Sequence, residues 1–99
     1  MEFTTSYKSI TFEYLYKNVV ISIADYLKGD GTPEGKISVL IRKNGEDLST
    51  KSVEMIAAHI QNRMTTGVAM ACNNVIEINI GRREQFIYLL HNAIDIVLP

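Results

Sequence analysis

Few side chains in this chain are suited to chemistry. His59, His91 and Cys72 are the only obvious metal ligands or nucleophile partners in 99 residues. A lone cysteine excludes an intrachain disulfide, a CxxC redox pair and a multi-cysteine zinc site. No HExxH pattern and no glycine-flanked nucleophile accompanies the histidines, so both are expected to be ordinary half-buried side chains, with no metal and no cofactor. The carboxylates Asp25, Asp30, Glu34, Glu46 and Asp47 fall in turns or on polar flanks. Acid–base work needs one carboxyl desolvated in a pocket.

"GDGTPEGK", residues 29–36, resembles a phosphate loop at first sight. In a GxxxxGK[ST] loop the backbone amides at a helix N-terminus face the phosphates. Here Asp30 stands at the first glycine's place and Ile37 where the magnesium-binding hydroxyl belongs. A helix is expected to enter the segment and a strand to leave it, the reverse of what the loop requires. The segment reads as a connector.

"IGRREQ" is the more unusual stretch. Arg82 and Arg83 fall in the first turn of the last expected helix, where the macrodipole disfavours cations. Free amides beside two guanidiniums form a candidate site for phosphate or a carboxylate. Arg42 and Lys43 extend the basic set. A net charge of −1 nevertheless argues against broad nucleic-acid binding.

The elements that must position these residues follow from periodicity. Phe12, Leu15, Tyr16, Val19, Val20, Ile23 and Leu27 recur at steps of three and four and predict a first helix ending at Lys28-Gly29. Ile10, Phe12, Tyr14 and Tyr16 also alternate, but the alternation breaks at Val19-Val20-Ile21. "KISVLIR" then predicts a strand, and Asn44-Gly45 a tight turn with a short return strand through Leu48. Ser49 caps a second helix with the stripe Val53, Ile56, Ala57, Ile60 and Met64, Leu48 and Val53 forming a hydrophobic staple. "GVAMACNNVIEINIG" predicts a hairpin turning at Asn73-Asn74, with Cys72 facing Val75. That register sets Ala69 and Ala71 on the core face with Ile76, Ile78 and Ile80. A last helix follows, lined by Phe86, Leu89, Leu90, Ala93, Ile94 and Val97.

The result is an α+β fold over 1–99, with residues 1–8 as a flexible arm or edge strand. Three helices pack on a small antiparallel sheet in the order α-β(β)-α-β-β-α. That order resembles the secretion chaperones of type III systems, in sequence of elements and in no shared motif. No signal peptide is visible, and "VVISIA" is far short of a membrane span, so a cytoplasmic location is expected.

Apolar residues then remain beyond what one core needs. Tyr14 and Ile21 on the first helix, Ile87, His91, Ile94 and Leu98 on the last, and Val68, Met70 and Val75 on the second sheet face are the expected partner surface. The expectation is a non-enzymatic, homodimeric protein-binding module of inhibitor, immunity, chaperone or adaptor type, bacterial or phage by its size. The alternatives are a small nucleic-acid or phosphate binder using Arg42, Lys43, Arg82 and Arg83, and a small enzyme with an unrecognised site.

Overall fold

The computed structural model describes residues 8–80 and 83–98. Their order is β1 (Lys8–Tyr16), β2 (Val19–Leu27), β3 (Pro33–Lys43), β4 (Glu46–Asp47), α1 (Thr50–Arg63), β5 (Val68–Cys72), β6 (Val75–Asn79) and α2 (Arg83–Val97). The sheet is antiparallel throughout, in the order β1-β2-β3-β6-β5, with β4 pairing beside β3. Among the described residues the fold therefore has two helices on a six-stranded sheet, not three on a small one. The likeness in element order to secretion chaperones goes with the missing first helix.

The predicted first helix is instead a long hairpin, and its turn explains the misreading. Lys17 takes a positive φ of 54° in the two-residue connection between Tyr16 and Val19. Such a turn pairs residue 16 with 19, 14 with 21 and 12 with 23. Residues facing the core are thus even-numbered before the turn and odd-numbered after it. The break in alternation at Val19-Val20 is a change of parity, and the three-and-four spacing across it is accidental.

Every other element follows its local signal. Asn44 and Gly45 both have positive φ, as a tight hairpin turn needs. The Ser49 hydroxyl accepts the Ser52 amide at 3.2 Å and caps α1, while Leu48 packs against the core from the preceding position. Cys72 pairs with Val75 across the Asn73-Asn74 turn, and Ala69 and Ala71 lie opposite Ile78 and Ile76 as expected.

The core lies between the sheet and the helices. Val19, Ile21 and Ile23 from β2, Ile37, Val39 and Ile41 from β3, and Ile76 and Ile78 from β6 meet Val53, Ile56, Ile60, Phe86 and Leu90. Small Ala69 on β5 admits α1, which packs against β5, β6 and α2. Both helices lie on one face of the sheet, and among the described residues no element covers its other face. No helix among the described residues is long and apolar enough to cross a membrane.

Candidate functional site

The connector at 28–32 joins strand to strand, and residues 33–36 open β3. The Lys28 amide donates to the Thr32 carbonyl at 2.7 Å, and Asp30 Oδ1 accepts from the Thr32 amide and hydroxyl at 3.0 and 2.6 Å. Those hydrogen bonds, the hydroxyl's first, hold the Asp30 carboxyl below its ordinary range. Gly35, at φ 90°, sits where β3 bulges against β2 and accepts the Ile80 amide at 3.1 Å. A strand enters this segment where a helix was expected. No helix N-terminus follows it, so it has no phosphate-loop geometry.

His91 belongs to a cluster that ties α2 to the β1–β2 hairpin. The Tyr16 ring stacks on the imidazole at 3.9 Å, and the Tyr14 hydroxyl lies 2.7 Å from His91 Nε2. Tyr16 donates to both Asp95 oxygens, and Lys17 Nζ reaches Asp95 at 2.7 Å. Burial holds the His91 pKa below its ordinary value, against the attraction of Asp95. Burial, then the neighbouring Tyr16, raises that of Tyr14. The donors from Lys17 and Tyr16 lower that of Asp95. The cluster joins three residues of a hairpin to one helix, which is the work of a latch. None of its members lines either concavity described below.

The nine residues expected to form one partner surface do not do so. Ile21 and Ile94 are buried in the core, which corrects both assignments. Ile21 moved inward because its segment is a strand whose odd residues face the helices. Tyr14, Ile87 and Leu98 are half-buried against the core, and His91 is held in the latch. Val68, Met70 and Val75 lie on the far side of the sheet, where Val68 and Met70 are 51% and 56% exposed and Val75 is half-buried.

That outer face holds a concavity of about 490 Å³, which crosses four strands. Tyr26 stands on one side, Val68 and Met70 on the other, and Lys36, Ser38 and Glu77 line the floor between them. Ser38 Oγ donates to the Tyr26 hydroxyl at 3.3 Å. Apolar walls around a floor carrying both charges suit a polypeptide segment with mixed side chains. The second concavity, about 330 Å³, lies between the end of α1 and α2 and is lined by Arg63, Thr65, Thr66 and Gln85 among others.

The basic residues are scattered as well. Arg42 points to the outer face and pairs with Asp47 at 3.1 Å, while Lys43, next in the strand, points to the helix side. Arg82 lies outside the described residues and Arg83 is the first residue of α2, so their suggested anion site is not among the described side chains. Cys72 is exposed on the outer face beside the turn, away from both concavities. His59 is half-buried on α1. Among the described residues no three His, Cys, Asp or Glu side chains come together as a metal site.

Sequence reasoning missed the exposed apolar residues of β1. Ile10 is 55% and Phe12 46% exposed on the helix side, beyond the reach of the helices, and Leu15 is exposed on the outer face. The alternation of Ile10, Phe12, Tyr14 and Tyr16 was the available signal.

Compared with protein-family models, curated proteins and solved structures, the chain matches none of them.

Proposed function

We propose that the chain is a non-enzymatic protein-binding module, of the inhibitor, immunity, chaperone or adaptor kind, that works as a homodimer. The observation that carries this reading is the outer face of the sheet, uncovered among the described residues, with Val68 and Met70 exposed along a groove that also offers Lys36 and Glu77. An antiparallel sheet tolerates water on one face when that face is polar. Here two large apolar side chains stand beside charges of both signs. A protein segment can cover the first and pair with the second. Methionine suits such a surface because its unbranched side chain adapts to the partner's shape.

The test is a substitution on the groove with the fold held constant. Met70→Lys leaves the far-ultraviolet spectrum and melting temperature near those of the wild type, since Met70 makes no core contact. Binding to a partner captured by the wild-type chain and identified by mass spectrometry should fall by about tenfold or more, a typical loss at an interface anchor. Equal binding by both proteins would remove the outer face from the reading. Light scattering across a dilution series tests the homodimer separately.

A further inference from the structure

We propose that two copies of this chain join edge to edge through β1, antiparallel about a two-fold axis at Phe12, merging their six-stranded sheets into one of twelve strands. The proposal rests on the homodimer reading above and names the surface that makes it.

Strand β1 is nine residues long, roughly 30 Å, and no described strand pairs with its outer side. A two-residue turn makes its flanking residues, Tyr16 and Val19, a hydrogen-bonded pair. Every second residue back from Tyr16 then bonds inward to β2, and Ser9, Thr11, Glu13 and Leu15 turn their amides and carbonyls outward. The same parity holds at the other edge of the sheet. There Cys72 and Val75 flank a two-residue turn, and the amide of Ala69, an outward position, is met by the Gln61 side chain at 2.7 Å.

The edge complements itself over its full length in one register. A two-fold axis at the strand's midpoint pairs Lys8 with Tyr16, Ser9 with Leu15, Ile10 with Tyr14, Thr11 with Glu13, and Phe12 with its own copy. All nine residues are used and no like charges meet. Moving the axis one residue toward the C-terminus sets Glu13 against Glu13. Ser9–Leu15 and Thr11–Glu13 become the hydrogen-bonded pairs, as their outward groups require, and Phe12 falls at a non-bonded pair, where side chains approach closest. Ile10 and Phe12, each about half exposed in the single copy, gain aromatic partners. Phe12 already stacks on Tyr14 at 6.2 Å, so pairing extends one aromatic row across the axis. A second copy therefore fits this edge better than an unrelated strand, whose sequence would have no reason to match it.

Two measurements on the full chain test the proposal, both in a Cys72→Ser background. Phe12→Cys should form a disulfide-linked dimer under mild oxidation, because non-bonded pairs hold Cα atoms about 4.5 Å apart. Glu13→Cys, off the axis, should not. Thr11→Pro, which removes an outward amide but no bond within the sheet, should raise the dimer dissociation constant at least about tenfold. The dimer would be assigned elsewhere if it persisted in Thr11→Pro with unchanged affinity and Phe12→Cys stayed unlinked; the homodimer reading would then stand without this edge. A wild-type chain that stays monomeric at several hundred micromolar would overturn the homodimer itself. A Phe12→Cys chain that links only to a different protein would overturn self-pairing at this strand.

Discussion

Strands β5 and β1 both end the sheet, yet they are finished differently. The Gln61 side chain of α1 lies along β5, accepting from the Ala69 amide at 2.7 Å and donating to the Gly67 carbonyl at 3.4 Å. Gly67 lets the chain come in close, since a Cβ there would stand 2.3 Å from the Asn79 carbonyl oxygen. Strand β5 is also short, at five residues. These are the usual means of protecting a sheet edge. Strand β1 is nine residues long and carries exposed Ile10, Phe12 and Leu15, and the latch through His91 and Asp95 secures it only near its turn. Among the described residues, β1 thus combines an outer edge that no strand pairs with and exposed apolar side chains. The contrast sets a guarded edge at one side of the sheet against the edge that the proposed dimer would use at the other.

The largest expected effect sharpens this contrast. Ile78→Ala, in the core beside the guarded edge, should cost about 2–5 kcal/mol, a large share of a small domain's stability. Ile10→Ala at the open edge should cost a single copy less than about 1 kcal/mol in the same chemical denaturation. If the two losses were equal, the edges would not differ in burial.

Gly67→Ala comes next. A Cβ would strike the Asn79 carbonyl, and φ there is 101°, so a loss of about 2–3 kcal/mol is expected in thermal melts. The same change at Gly31, where a Cβ meets nothing within 4 Å, should cost less despite its positive φ.

Gln61→Ala removes the guard from β5 and should cost about 1 kcal/mol. Its informative readout is association. If covering is what keeps β5 single, this variant should form higher oligomers at concentrations where the wild type does not, as seen by light scattering.

The smallest effect is in the latch. Between the ordinary histidine value of 6.5 and the depressed value of folded His91, the unfolded chain binds the proton first. Stability from this group is present at neutral pH and is lost as pH falls through that window. Asp95, also depressed, adds its loss at lower pH. The melting temperature should therefore drop from about pH 7 to about pH 5, and less so in His91→Phe, which keeps the stacking and removes the proton site. An identical drop in both proteins would place the titration elsewhere.

The C-terminal half was legible because its signals are local. Ser49 before a helical stripe, Asn44-Gly45 and Asn73-Asn74 between alternating runs, and alanines facing isoleucines each act within a few residues. The N-terminal half was not, because Lys17-Asn18 carries no strong turn signature and two strands in opposite parity imitate helical spacing. That single error displaced Ile21 and hid the exposed set on β1. The candidate site was legible in part. Val68 and Met70 were placed on the outer face from the hairpin register alone, while Tyr26, Lys36 and Ser38 joined them only through strand order.

Composition, alternation and capping determined by themselves that this chain builds helices and an antiparallel hairpin around isoleucine-rich strands, since burial and backbone geometry act residue by residue. Which strand lies beside which was decided only by the tertiary structure. The order β1-β2-β3-β6-β5 brings residues far apart in sequence into one sheet, sets both helices on one face and leaves β1 at an edge. An edge is a property of neighbours, and no residue of β1 can encode its place at the end of the strand order.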